Sequence, residues 1–230
     1  MSSGRITHLA EVGSTNDWLL ARAGELSDGQ WVLADRQTAG RGRRGRAWGD
    51  GAGNLMASVL VKAEGPVQQL SFVAALALHT ALAQGDRIRL KWPNDLLLDG
   101  TKVSGILLER SATALVIGFG ANLRSFPTGT ERPAISLAAA GLPVPATTDL
   151  LAALITAFSG YRGLWATQGF EPIRSRWLAL AAGVGDRIAA RLGTETLEGR
   201  FEGLEPDGAL ALRLDDGSLR PVHAGEVFSL

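Results

Sequence analysis

The sequence predicts an α+β fold: a mixed, largely antiparallel sheet packed by helices, followed by a small barrel or sandwich of hairpins. Three observations carry this expectation. Three or four extended stretches follow one long helical stretch without strict βαβ alternation. The Asp99-Gly100 pair marks a tight two-residue turn between two of them, because glycine accepts the positive φ such turns need. After Gly183 the texture changes to short alternating segments cut by Asp207-Gly208 and Asp216-Gly217.

Taken in order, Ser14, Thr15 or Asn16 caps a helix beginning near Asp17, since their side-chain oxygens accept the free NH groups of a first turn, and DWLLARA supplies its apolar face. WVLADRQ and NLMASVLVKA read as strands, the first an apolar run and the second rich in residues that suit a buried pleat. Pro66 opens PVQQLSFVAALALHTALAQG, whose helical spacing and terminal Gly85 define the clearest helix of the chain. RIRLKW, DLLLDGTKVSGILLE and TALVIGFGANL supply the strands that follow. Beyond the proline-rich PAISLAAAGLPVPATT, one helix is expected from Asp149 to Ala166, capped by Thr147 or Thr148, and another from Phe170 to Leu180. DRIAARL, TLEGRFEGLE, ALALRL and LRPVHA are the short strands of the tail. A boundary near Ala182 divides the chain into domains 1–182 and 183–230.

Lysine plus arginine equal aspartate plus glutamate at 23 each in the 230 residues, so no global field draws the chain to nucleic acid or acidic membranes. Any bound anion must be met locally. The absence of cysteine removes disulfides, thiolate nucleophiles and zinc-thiolate sites and fits a reducing cytosol. Three histidines, His8, His79 and His223, argue against a histidine metal cluster. The start MSSGRITHLAEV lacks the basic and apolar regions of a secretory leader, and FVAALALHTALA is too short to cross a bilayer. A cytoplasmic protein without membrane contact is the expectation.

Local positive charge is concentrated in QTAGRGRRGRAW, Gln37 to Trp48. Its Gly40-Arg41-Gly42-Arg43-Arg44-Gly45 core fits G-x-G-x-x-G, but the dinucleotide fingerprint needs a helix to begin inside it, and RAWGDGAGN is too rich in glycine to hold one. An RNA-binding arginine patch is disfavoured by the neutral total charge and the single tyrosine. A merely solvated loop has no need of Trp48. The remaining reading is a mobile lid over a small anionic ligand such as a nucleotide: glycine gives freedom, arginine gives forked donors, tryptophan a stacking face.

Two further stretches would support such a lid. In KWPND the proline sets the chain direction between strands, so Lys91, Asn94 and Asp95 can share one rim, and Asp95 is a candidate magnesium ligand; a plain Pro-Asn-Asp turn is the bland alternative. Lys102 begins KVSGILLE, in which Gly105 lets a ligand approach a strand backbone. Gly118 and Gly120 thin a second strand that ends in Asn122, unless they mark a bulge.

In order and spelling, GSTND, RQTAGRGRRGRAW, GNLMASVLV, KWPNDLLLDGTKVSGILLE and IGFGANL resemble the biotin protein ligases from about Val12 to Leu123, and the tail matches in position that family's small SH3-like β-barrel. The resemblance implies a cytoplasmic biotin–[acetyl-CoA-carboxylase] ligase, monomer or homodimer. Biotin and ATP, with Mg2+, would give biotinyl-5′-AMP, and a lysine of a biotin carboxyl carrier protein domain would then take the biotinyl group. It implies Ser14, Thr15, Asn16, Gln37, Gly40, Arg41, Gly42 and Arg43 at the biotin ureido group, with Gly105, Leu107, Gly118 and Gly120 along the apolar wall and Trp48 as cover. Lys102, Arg41 and Arg43 would be the catalytic cations, Lys102 also touching biotin. Arg43, Arg46, Trp48, Lys91, Asn94, Asp95 and Asn122 would face ATP, Asp95 its Mg2+. Arg44, Gly45 and Arg46 would close as the lid.

Ser104 and Phe119 depart from the small residues usual in that family, which raises the expectation of an altered pocket width. Only about a dozen residues precede Ser14, so a ligase without a helix-turn-helix domain and without DNA as partner is expected. The rivals are a lipoate or octanoate ligase or transferase of the same superfamily and, from another class, a non-enzymatic nucleic-acid-binding module.

Overall fold

Every residue of the stretch Leu55–Val61 is buried, and alternate side chains leave a strand in opposite directions, so this strand has to be covered on both faces. The computed structural model, which describes residues 5–49, 51–62, 65–111, 114–129, 133–193 and 195–230, shows how. The Met1–Gly4 start, and Asp50 of the glycine-dense stretch, lie outside the described residues. Along the chain come β1 (Ile6–Val12), α1 (Thr15–Leu20), β2 (Trp31–Gln37), β3 (Leu55–Val61), α2 (Leu70–Leu82), β4 (Ile88–Lys91), β5 (Asp95–Leu98), β6 (Thr101–Arg110), β7 (Leu115–Ala121), α3 (Thr147–Gln168) and α4 (Glu171–Leu180). Then follow β8 (Arg187–Arg191), β9 (Thr196–Leu204), β10 (Leu210–Arg213), β11 (Leu219–Val222) and β12 (Glu226–Ser229).

Seven strands form one sheet in the order β1-β2-β3-β7-β6-β5-β4. Only β1 and β2 pair in parallel; the other neighbours are antiparallel, as the mixed, largely antiparallel expectation required. Leu55, Ala57, Val59 and Val61 of β3 join Ile106, Ile117 and Phe119 in a core with residues of α2, α3 and α4. Leu60, Val116 and Val32 point the other way and pack with Leu19 of α1 in a second, smaller cluster. The sheet thus carries three helices on one face, while α1 covers only part of the other.

Several boundaries differ from the sequence reading. A 310 turn over Val67–Gln69 delays α2 to Leu70, and the helix ends at Ala83, which takes the left-handed conformation at φ 53. The α3 helix begins at Thr147 itself, with Ala146 in the capping position and no side-chain cap. The Asp99-Gly100 turn has positive φ at both residues, 47 and 81, as the strand-turn-strand reading required. Two strands were not anticipated. As an edge strand with mixed exposure, β1 lacks an apolar run, and the four-residue β12 is too short to signal itself.

The tail pairs as a separate five-stranded antiparallel sheet, β11-β10-β9-β8-β12, with β11 and β12 at its edges. Ile188, Phe201, Leu210 and Val227 belong to the same core as the helices. The Ala182 amide donates to Leu90 O at 2.8 Å, the Trp92 indole to Gly208 O at 3.3 Å, and Arg174 Nε to Leu204 O at 2.6 Å. These contacts hold the β9–β10 end of the second sheet beside β4 and α4. Among the described residues no helix is long and apolar enough to cross a membrane.

Candidate functional site

Strand alternation places Gly105, Leu107 and Glu109 of β6, and Gly118 and Gly120 of β7, on the sheet face away from the three helices. Gly105 stands opposite Gly120, and Leu107 opposite Gly118. A cavity of about 460 Å3 opens over this floor. The space left by the missing side chains is already used. A Cβ on Gly120 would lie 2.5 Å from Cε2 and Cζ2 of Trp48, and one on Gly105 would lie 3.3 Å from Trp48 Cζ3 and 3.4 Å from Lys102 Nζ. On Gly118 it would lie 2.5 Å from Asn16 Oδ1. The glycines therefore seat an indole and an amide, which is more specific than the close-packed wall expected.

One end of the cavity is polar. Ser14, extended at φ −150, caps α1 by accepting from the Asp17 amide at 3.4 Å. This brings Thr15 and Asn16, both buried, onto the sheet. The Thr15 amide donates to Gln37 Oε1 at 2.7 Å, with the Thr15 hydroxyl 2.9 Å from the same oxygen, which commits that oxygen and turns the Gln37 NH2 away from Thr15. Buried Ser58 stands between Thr15 Oγ1 at 2.7 Å and Asn16 Oδ1 at 2.6 Å.

The arginine segment is a closed hairpin. Arg41 bridges Ala47, the Gly42 amide donates to Arg46 O at 2.7 Å, and the Trp48 amide donates to Gly40 O at 2.9 Å. Its tip turns through Arg44 and Gly45 at φ 58 and 72. Arg46 is ion-paired with Glu226, and Arg43 Nη1 donates to Gly225 O and Asn94 Oδ1, each at 3.2 Å. The start of β12 thus holds the hairpin over the cavity. Burial pushes the Arg43 guanidinium below its ordinary value, opposed by nearby Asp95 and Glu226; it remains a cation at neutral pH. Arg41 reaches the other way, bidentate on Asp17 at 2.6 Å and 3.2 Å from Glu109, and these bonds raise its value.

At the far end Lys102 Nζ donates to Asp95 Oδ1 at 2.6 Å, and Asn94 is oriented by donating to Ile106 O at 2.5 Å. Asn122, also buried, donates to Ile135 O at 3.2 Å. Among the described residues no group of three His, Cys, Asp or Glu could hold a metal ion.

Nearly all the residues expected from the sequence line this cavity: Ser14, Thr15, Asn16, Gln37, Arg41, Gly42, Arg43, Arg46, Trp48, Asn94, Asp95, Lys102, Gly105, Leu107, Gly118, Gly120 and Asn122. Gly40 and Lys91 are not among them. Gly40 packs on the Gln37 side chain behind the wall, and Lys91 Nζ lies 5.9 Å from the Phe228 ring centroid. Nor do the two departures set the pocket width through their side chains. Ser104 donates to Gly120 O at 2.5 Å, and the Phe119 ring stacks on Trp31 in the helix-side core with centroids 5.6 Å apart. The sequence reading missed Ser58, Glu109 and Glu226. Period-two counting from Gly105 finds Glu109, whereas no local signal points from Glu226 to a site more than a hundred residues away.

Residues 9–122 match the Biotin/lipoate A/B protein ligase family, and residues 183–229 match the Biotin protein ligase C terminal domain. The chain is 42% identical to the biotin–[acetyl-CoA-carboxylase] ligase of Paracoccus denitrificans, over 96% of this chain and 98% of that protein. It is 34% identical to the bifunctional ligase/repressor BirA of Escherichia coli, over 99% of this chain and 74% of that one. The structure resembles the biotin protein ligase from Aquifex aeolicus in complex with biotin and ATP, with a TM-score of 0.86, 28% identity and 97% of each chain covered.

Proposed function

The chain belongs to the biotin protein ligase family, and on that premise we propose that it activates biotin with ATP as biotinyl-5′-AMP and passes the biotinyl group to a lysine of a biotin carboxyl carrier protein domain. One observation carries the residue-level reading: a single cavity joins a buried polar end, a glycine floor under Trp48, and a cationic end built from Lys102 and Arg43.

A fused ureido ring carries two donors and one acceptor, and leaving one buried without a partner costs about 1–3 kcal/mol. Ser14, Thr15, Asn16 and Gln37 offer the matching donors and acceptors at the end of α1. The valeryl chain runs alongside the indole seated on Gly105 and Gly120, which delivers its carboxylate to Lys102.

In the first step a biotin carboxylate oxygen forms a bond to the α-phosphorus of ATP, and the bond to the bridging oxygen breaks with its electrons leaving on pyrophosphate. Two anions must approach, so fixed cations at that point stabilise the developing charge without reorganisation. Lys102 and Arg43 have this role; Arg41, turned toward Asp17 and Glu109, holds the hairpin instead. Magnesium bound with ATP would neutralise phosphate charge. Asp95 is one carboxylate at the right end, which suits an ion held chiefly by phosphate oxygens and water. In the second step the acceptor amine bonds to the acyl carbon, AMP leaves with the C–O electrons, and the amine releases a proton. Until then Trp48 and the arginine hairpin keep water from the mixed anhydride. The cysteine-free composition supports placing the enzyme in the cytoplasm.

The test is pyrophosphate exchange with biotin, lipoate and octanoate. Exchange with biotin alone is expected; exchange restricted to lipoate or octanoate overturns the biotin assignment.

A further inference from the structure

Glu109 shares the cavity face of β6 with Gly105 and Leu107, and its two carboxylate oxygens are divided between two partners. Oε2 accepts from Asn16 Nδ2 at 2.7 Å and Oε1 from Arg41 Nη2 at 3.2 Å. A carboxylate only accepts, whereas an amide donates at one end and accepts at the other. Glu109 therefore decides which way round Asn16 stands. With its nitrogen drawn to Glu109, Asn16 turns Oδ1 toward Ser58 at 2.6 Å. Ser58, its proton committed to Asn16, then accepts from the Thr15 hydroxyl at 2.7 Å, and the Thr15 amide is left as the donor to Gln37 Oε1 at 2.7 Å. A reversed Asn16 would set its oxygen against the carboxylate. The absence of a side chain at Gly118 leaves room for the amide directly over the strand.

We infer that Glu109 is a positioning and specificity-determining residue: it sets the donor-acceptor order of the Asn16–Ser58–Thr15 chain and ties that chain, through Arg41, to the base of the arginine hairpin. The inference rests on the biotin reading and assigns Glu109 to recognition of the ureido group, not of the carboxylate or ATP. It also connects the polar end with the cover. Asp17 grips the same guanidinium with both oxygens at 2.6 Å, so Arg41 is held by α1 and β6 together.

The experiment uses the full chain and measures pyrophosphate exchange with biotin and ATP varied separately. The wild-type protein is the control, and its failure to exchange with biotin would refute the biotin reading rather than this one. Glu109→Gln keeps the shape but offers one donor and one acceptor where two acceptors stood. It should raise the KM for biotin by about ten- to a hundredfold, the range of one charge-assisted hydrogen bond, with the KM for ATP unchanged. It should also weaken the preference for biotin over the analogue whose ureido oxygen is replaced by an imino group.

Asn16→Asp places two carboxylates against each other, so one must hold a proton and the KM for biotin should fall as pH is lowered from about 8 to about 5.5. The charged groups bonded around the pair, Arg41 and Asp17, stay ionised over that range. In the double variant Asn16→Asp with Glu109→Gln, the glutamine donates to the new carboxylate and still accepts from Arg41. Its KM should return to within about threefold of wild type, without the pH dependence, as expected when one coupled pair of partners is exchanged for another. A Glu109→Gln enzyme with wild-type biotin KM, or a double variant no better than Asn16→Asp alone, overturns the inference.

Discussion

Lys102 Nζ stands 2.6 Å from Asp95 Oδ1, with the carboxylate buried and the ammonium beside the Gly105 floor. The pair joins two residues separated by the Asp99-Gly100 turn, so the β5–β6 hairpin builds it locally. Asp95 holds the ammonium at the cationic end before substrate arrives, which spares a reorientation during reaction. Lys102→Ala removes the charge and leaves Asp95 facing the phosphates. Adenylate formation should fall by about a hundred- to a thousandfold, the range for loss of one preorganised charge-stabilising donor. Pyrophosphate exchange measures it, and an unchanged first-step rate would take Lys102 out of the catalytic set.

Arg43 joins the hairpin to the C-terminal sheet through Gly225 O and to the KWPND turn through Asn94. Burial makes its hydrogen bonds costly to lose, so Arg43→Ala should loosen the cover as well as weaken the cationic end. Biotinyl-AMP should escape or hydrolyse about tenfold faster or more, at the scale of one such bond. Retention of the labelled intermediate is the measurement. Retention equal to wild type removes Arg43 from the closure.

Gly120 tests the seating of Trp48. An added methyl group would lie 2.5 Å from two indole carbons, and a ring cannot yield like the end of a flexible chain. Gly120→Ala should therefore displace the indole, at a cost of about 1–3 kcal/mol typical of overpacking, and appear as a raised KM for biotin with faster loss of the intermediate. Gly24→Ala, where nothing lies within 4 Å, is the matched control and should leave both unchanged. The part of the biotin-induced fluorescence change that is lost in Trp48→Phe, compared between the two variants, locates the change, since the chain has six tryptophans.

The parts of this site legible in the sequence are those whose chemistry is local. Glycine and proline report backbone demands directly, so the Asp99-Gly100 turn, the KWPND rim and the glycine floor could be read from spacing. The arginine hairpin was read as a mobile arm because local composition speaks only of freedom. What holds it is distant: Asp17 and Glu109 on one side, Glu226 on the other. Arg41 was assigned to the reaction for the same reason, since its carboxylate partners come from α1 and β6. The edge strand β1 lacked a signal because half-exposed strands need no apolar run, and its parallel pairing depends on a crossover that no local pattern encodes.

The Arg41–Asp17 contact also has a pH signature. Hydrogen bonding to Arg41 lowers the Asp17 carboxyl below its ordinary value in the folded protein, and Arg41, raised by the same bonds, does not titrate in the accessible range. A carboxyl depressed on folding contributes stability above its unfolded value of about 3.9 and loses that contribution as pH falls through the folded value. The Asp17 side chain is 50% exposed, so solvent screening holds the contribution under about 1 kcal/mol. Asp17→Asn should thus melt slightly below wild type at pH 7, with the difference shrinking below about pH 4. Thermal unfolding of both proteins from neutral to acid pH measures this. A difference that persists undiminished at about pH 2 would mean that Asp17 supports α1 through packing or its place in the first turn, and not through its charge on Arg41.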